Sequence, residues 1–267
     1  MSLHDVADAL FDAERQRCAI DKPSDQCSLS VDDAYAIQQL NVQRRLARGA
    51  RLVGRKIGIT SKAVMDWLKV SEPDFGALLD DMIVDDGGTC ERSALLQPRV
   101  EGEIAFVLER DLDLPRCTAV DVVSATAWIG ASIEIIDSRV KDWKLTLADT
   151  VADNASSARF VMSSTKTSLR GLDLPLVGCA LRKNGRVASS GAGAACLGNP
   201  VNAVVWLART LAQRGTPLRA GDVVLSGALC PVVPVEVGDV IDVDVHGVGR
   251  CSVRFSGGAR GVNMSTA

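Results

Sequence analysis

From residue 51 onward the chain is written in short apolar runs cut by glycine, a pattern that points to sheets rather than to a helical bundle. "RLVGRKIGIT", "RVEGEIAFVLERDL", "SIEIIDSRV", "GDVVLSGALCP", "GDVIDVDVHG" and "GRCSVRFS" read as strands, the last three as short antiparallel ones. "VGCALRKNGRVASSG" reads as a hairpin, because Asn184-Gly185 supplies the positive φ angles of a type I′ turn. Helices are fewer. "SKAVMDWLKV" is capped by Ser61, and "TAVDVVSATAWIGA" carries a capping box from Thr118 and Asp121. "NPVNAVVWLARTLAQRG" has Asn199 as cap, Pro200 at its first position and Gly215 past its end. Strands and helices do not alternate one for one, and no GxGxxG or phosphate loop occurs. The expectation is an α+β domain on a folded-over antiparallel or mixed sheet, not a doubly wound fold.

Ahead of it, residues 1–50 read as a helical region. "LHDVADALFDAERQR" places Val6, Leu10 and Phe11 at helical spacing, and Ser30 with Asp33 opens a second helix that ends by Gly49. The expected division is residues 1–50 helical, 51–256 catalytic and β-rich, and 257–267 a mobile tail. At 267 residues there is ample chain for one large core.

A formal net charge of −3, with acidic and basic residues mixed throughout and no basic stripe beside the sparse aromatics, makes nucleic acid a poor expected partner. The N-terminal stretch is charged from residue 4, unlike a signal peptide, and the uncharged run from Val187 to Ala208 is too rich in glycine and polar residues for a membrane span. Eight cysteines without a CxxC pair read as reduced, mostly buried thiols, so the expected compartment is the cytoplasm. With only His4 and His246, a histidine-based triad or metal site has little to draw on.

The chemistry is expected among carboxylates. Glu101 and Glu103 stand two apart at the start of an apolar strand, so they share one face and repel each other. A solvated strand end would tolerate that. Glu134 is harder to accommodate, because Ile133, Ile135 and Ile136 surround it and burial of an unpaired carboxylate is costly. A salt bridge, a proton or a metal ion must offset the charge. A hard divalent cation, Mg2+ or Mn2+, accounts for all three acids at once, since it takes oxygen ligands and keeps positions for water and substrate. A salt-bridge network remains the alternative.

Lys56 lies between Gly54 and Gly58 on its strand face, which suggests space for a ligand; a solvent-facing lysine on an edge strand is the plainer reading. "EPDFG" puts Asp74 in what reads as a Pro/Gly loop, where an active-site or an Asx-turn role is open. "DTVADNASSARF" reads as a loop entering a strand.

"GRKIGITSKAV", "PDFG", "QPRVEGEIAFVLERDL", "EIIDSRVKDWK", "DTVADNASS", "SSGAGAACLGNPVNAVVWLA" and "LSGALCP" occur here in that order. Together, from about residue 30 to 255, they resemble the 2-hydroxypenta-2,4-dienoate (2-keto-4-pentenoate) hydratases of meta-cleavage pathways, in the fumarylacetoacetate hydrolase superfamily. The resemblance implies N-terminal helices followed by a mixed β-sandwich roll. It implies Mg2+ or Mn2+ on Glu101, Glu103 and Glu134, Lys56 as a catalytic and substrate-facing lysine, Asp74 as general acid or base, and Ser156 as a pocket residue. It further implies a small 2-keto or 2-hydroxy-dienoate substrate, a homo-oligomer (pentamer or decamer), and association with a decarboxylase. Two other readings stay open: a 4-oxalocrotonate decarboxylase, which shares the E-x-E, "EIIDSR" and "VADNASS" stretches, and a silent partner subunit.

Overall fold

The computed structural model describes residues 1–257; the tail expected to be mobile lies, from residue 258 on, outside the described residues. The helices are α1 (Leu3–Gln16), α2 (Val31–Leu46), α3 (Lys62–Leu68), α4 (Ala119–Ala125), α5 (Leu147–Ala152) and α6 (Pro200–Gln213). The strands are β1 (Leu52–Gly58), β2 (Asp74–Leu79), β3 (Ile83–Val84), β4 (Thr89–Glu91), β5 (Arg99–Leu108), β6 (Thr126–Ile136) and β7 (Ser157–Met162). They continue with β8 (Gly178–Lys183), β9 (Arg186–Ala192), β10 (Val223–Leu225), β11 (Val233–Pro234), β12 (Val240–Val245) and β13 (Gly249–Ser256).

Two sheets result. The larger is ordered β2-β1-β10-β5-β6-β7-β3 with β11 attached to β5, and the smaller β4-β13-β12-β8-β9. Both are mixed, because β1–β10, β3–β7 and β4–β13 run parallel while the other pairs are antiparallel. The period of two along β5 sorts its side chains cleanly. Val100, Ile104 and Phe106 join a core with Leu181, Ile241, Val243 and Phe255 of the smaller sheet. Gly102 belongs to the same file: a Cβ there would stand 2.9 Å from Cys179 Sγ. Ala105, on the opposite face, packs with Leu78, Leu79, Met82, Phe160 and Leu225. That opposite face is also the one to which Glu101 and Glu103 belong.

The N-terminal helices buttress this face. Val6, Leu10, Ala34 and Ile37 form a second apolar cluster with Val140, Val151 and Ala152. From α2, the buried Gln38 side chain donates to Phe75 O (3.0 Å) and Val151 O (2.8 Å), tying β2 to α5. Tyr35 stacks on Phe75 with ring centroids 4.4 Å apart.

Four local expectations are corrected. The "PDFG" segment is not a loop: Asp74 opens β2, fully buried and antiparallel to β1. Pro73 and Gly76 disguise the strand, yet Pro73 precedes the first paired residue, and Gly76 is required because a Cβ would lie 2.4 Å from Asn154 O. "TAWIGA" is strand rather than helix; α4 stops at Ala125, and the aromatic and β-branched residues beyond it are taken up by pairing with β5. "DTVADNASS" holds α5, opened by a capping box between Thr146 and Asp149. In the C-terminal segment, β10 pairs parallel with β1 rather than only antiparallel.

Candidate active site

The cross-strand register of β5 and β6 brings the three acids together. Glu101 stands directly opposite Glu134, and Glu103 is two pairs further along, opposite Ser132. One carboxylate oxygen from each of Glu101, Glu103 and Glu134 lies within 4.8 Å of the other two. Glu103 and Glu134 are completely buried and Glu101 is half-buried.

Lys56 arrives from β1. It is buried, at 3 % exposure, so it is neither solvent-facing nor on an edge, since β2 and β10 flank β1. Its Nζ is 3.2 Å from Glu134 Oε2 and donates to Ala155 O at 3.0 Å. The two neighbouring glycines do different work. At Gly58 a Cβ would meet Asp74 Oδ1 at 2.2 Å and Lys56 Nζ at 3.2 Å, so its absence admits the Asp74 carboxylate beside the ammonium. At Gly54 the space is filled by backbone, with Val223 O only 1.8 Å from a Cβ position. That glycine serves strand packing, and the expected opening for a ligand on that side does not exist.

The turn that anchors Lys56 is strained. Asn154, Ala155 and Ser156 all adopt left-handed backbone angles, with φ of 55°, 50° and 54°. Such conformations cost roughly 1–2 kcal/mol per residue for side-chain-bearing residues. Tertiary contacts hold them. Asn154 pairs with the free edge of β2 through both side-chain groups, accepting from Ala77 N (2.8 Å) and donating to Ala77 O (3.0 Å). Just before the turn, buried Asp153 pairs with buried Arg139, whose backbone N–H also donates to it at 3.0 Å. Ser156 is buried with its hydroxyl 3.3 Å from Thr150 Oγ1, adjacent in sequence to the carbonyl that holds Lys56.

The electrostatics are unbalanced toward negative charge: four carboxyl groups surround one ammonium. Burial, reinforced by Glu134, pushes Glu101 up to about 7. Glu103 is driven well above the carboxylate range by burial, then by Glu134 and Glu101. Burial also raises Asp74 to about 6, against the lowering effect of Lys56. For Lys56 burial works against the charge, but Glu134, Asp74, Glu101 and Glu103 together outweigh it and hold the pKa above the ordinary lysine value.

Several oxygens have no donor. Glu103 Oε2 accepts from Gly227 N at 2.8 Å, but Glu103 Oε1, both oxygens of Glu134 and both of Asp74 are buried without a hydrogen bond among the described residues. Unpaired buried oxygens of Glu103 and Glu134, converging with a carboxylate oxygen of Glu101, are a donor set suited to a hard cation. The cluster could therefore hold a metal ion, with Lys56 and Asp74 beside it. A surface groove of about 720 Å3, lined by Arg15, Arg17, Arg45, Arg48 and Arg159 among others, lies elsewhere and includes none of these residues.

Residues 46–256 match the fumarylacetoacetate (FAA) hydrolase C-terminal family. The chain belongs to that family. Among its curated members, a 2-keto-4-pentenoate hydratase of Paraburkholderia xenovorans (strain LB400) is 55% identical over 227 residues, 85% of this chain and 84% of that protein. A 2-hydroxyhexa-2,4-dienoate hydratase of Comamonas testosteroni is 47% identical over 230 residues, covering 85% and 87%. A solved 4-oxalocrotonate decarboxylase from Pseudomonas putida G7, complexed with magnesium and adipate, superposes with a TM-score of 0.90 at 39% identity, covering 95% of this chain and 97% of its own. A fumarylpyruvate hydrolase from Pseudomonas aeruginosa, in complex with Mn2+ and pyruvate, shares the fold at a TM-score of 0.60 and 16% identity, covering 76% and 88%. The mixed sheets behind N-terminal helices are thus the family's architecture, as the sequence resemblance implied.

Sequence reading named Lys56, Asp74, Glu101, Glu103, Glu134 and Ser156, and all six are drawn to one face of the larger sheet or the turn beside it. It passed over Asn154, Arg139, Asp153 and Gly227, which hold that arrangement in place. A usable signal existed for two of them: the charges in "IIDSRV" and "VADNAS" are embedded in apolar sequence, and such charges are expected to pair.

Proposed function

We propose that this chain is a divalent-metal-dependent hydratase that converts 2-hydroxypenta-2,4-dienoate (2-keto-4-pentenoate) to 4-hydroxy-2-oxopentanoate in a meta-cleavage route. The observation that carries the reading is 55% identity across 85% of the chain to a 2-keto-4-pentenoate hydratase, combined with the converging acids, lysine and aspartate. Glu101, Glu103 and Glu134 are assigned as ligands of Mg2+ or Mn2+. When bound there, the cation supplies Lewis-acid stabilisation of negative charge on the 2-oxygen of the keto acid.

The remaining roles fall to side chains. Lys56 donates to Ala155 O and lies in ion-pair contact with Glu134, and its ammonium keeps an N–H for the substrate's carboxylate or enolate oxygen. Its pKa, held high by the surrounding acids, keeps it a charge-stabiliser that retains its proton. Asp74, with a pKa near 6 and a buried carboxyl beside the Lys56 ammonium, is assigned as general acid and base. In its neutral form it gives a proton to C5 as the 2-hydroxyl releases its own to solvent, and as a carboxylate it accepts a proton from the water that adds at C4 while C3 takes a proton from solvent. Ser156 is assigned to the substrate pocket. A homo-oligomer, pentameric or decameric, and contact with a decarboxylase of the same route are part of the proposal.

The high structural similarity to the decarboxylase keeps a second reading in view, in which the same site releases CO2 from a 2-keto diacid. The purified full chain with Mn2+ is assayed on 2-hydroxypenta-2,4-dienoate and on 4-oxalocrotonate. Consumption of the former with formation of the 4-hydroxy product, abolished by chelator, is expected. Faster CO2 release from the latter would overturn the hydratase reading, and inertness toward both would favour a silent partner subunit.

A further inference from the structure

One polar group on the catalytic face has no role in the scheme above. Ser132 lies directly opposite Glu103 in the β5–β6 ladder, as Glu101 lies opposite Glu134, so the four side chains occupy a two-by-two square on one face of the sheet. Ser132 is 0% exposed, and its Oγ has no hydrogen-bond partner among the described residues. Glu103, its cross-strand neighbour, is held on one side only: Oε2 accepts from Gly227 N, and Oε1 has no donor among the described residues. On the other flank the register of β7 sets Met162 beside Ser132 and Phe160 beside Glu134, both in the apolar cluster of this face. A hydroxyl stranded between acids and apolar side chains is destabilising unless something engages it, and alanine would fill the same corner at no such cost.

We infer that Ser132 is a positioning residue of the ion site, its hydroxyl donating to Glu103 Oε1, directly or through one water, once a divalent cation is seated. A neutral donor suits this corner, because a further carboxylate would add to a charge excess that Lys56 alone already fails to balance. The inference rests on the reading that Glu101, Glu103 and Glu134 hold a cation. It extends the site to a residue that makes no hydrogen bond to Lys56 or Asp74.

The test is calorimetric titration of Mn2+ into the full chain at pH 8 as wild type, Ser132→Ala and Ser132→Thr, with urea unfolding of each in EDTA alongside. Outer-shell donors of this kind are worth about 10- to 100-fold in metal affinity. Ser132→Ala is expected to bind Mn2+ at least tenfold more weakly while its EDTA-treated form unfolds at an equal or higher urea midpoint, and Ser132→Thr to recover most of the affinity. Wild-type and Ser132→Ala affinities within twofold would overturn the role of Ser132 while leaving the ion site standing. A lowered urea midpoint for Ser132→Ala in EDTA would overturn it too, since the hydroxyl would then be stabilising the fold without metal. A wild-type chain that takes up no Mn2+ would instead remove the underlying ion reading.

Discussion

Replacement of Glu101 by Gln separates stability from function with opposite signs. Burial and the charge of Glu134 raise the Glu101 pKa from 4.5 to about 7, so in the metal-free fold its ionised form is disfavoured. For an acid whose folded pKa is raised, the penalty is absent below the unfolded pKa, grows between about 4.5 and 7, and is complete above that range. At pH 8 a shift of this size corresponds to roughly 3 kcal/mol at about 1.4 kcal/mol per pH unit. Glu101 is half-buried, and screening by solvent reduces this to about 1–2 kcal/mol. Urea unfolding in EDTA at pH 8 is therefore expected to find Glu101→Gln more stable than wild type by that amount, a Tm rise of roughly 2–8 °C for a chain of this size. Saturating Mn2+ should invert the order. Wild type gains about 2.7 kcal/mol at a free concentration of 100 Kd, whereas the variant gains little and loses turnover. A variant less stable than wild type in EDTA, or one stabilised equally by Mn2+, would refute both the charge-crowding argument and the ligand assignment.

Three further outcomes are expected. Metal affinity should fall as pH drops from 8 to 6, because Glu101 near 7 and Glu103 above the carboxylate range must release protons to bind; calorimetry in buffers of differing ionisation enthalpy should detect proton release, and a flat affinity would count against the set. Asp74→Asn should lower kcat by about 10²- to 10⁴-fold and remove any ionisation near pH 6 from the rate profile, with Mn2+ affinity unchanged within a few fold. Arg139→Met should cost about 3–5 kcal/mol in urea unfolding by leaving the buried Asp153 carboxylate unpaired, and Arg139→Met/Asp153→Leu should recover part of that loss.

The hairpin at Asn184-Gly185, the capping boxes at Ser30 and Thr118, and the Pro200 helix were legible because local chemistry decides them. β2 and α5 were not, because their signals are short and their state depends on partners far along the chain. β2 is fixed by β1 on one edge and by the Asn154 side chain on the other, 77 residues away from Ala77. The same dependence explains why Asp74 read as a loop residue, and why the plain reading of Lys56 as exposed was available until the flanking strands were in place.

What the sequence determined alone is the chemistry available: an E-x-E at strand spacing, a third acid among isoleucines, a lysine between glycines, and hardly any histidine. Those residue types and periods set which side chains share a face, because alternation in a strand is local geometry. Tertiary structure decided which of them meet. The β5–β6 register puts Glu101 against Glu134, the space over Gly58 admits Asp74 beside Lys56, and a left-handed turn held by distant partners presents the carbonyl that anchors that lysine. Register, close approach and strain are properties of pairs of segments, and no single segment encodes them.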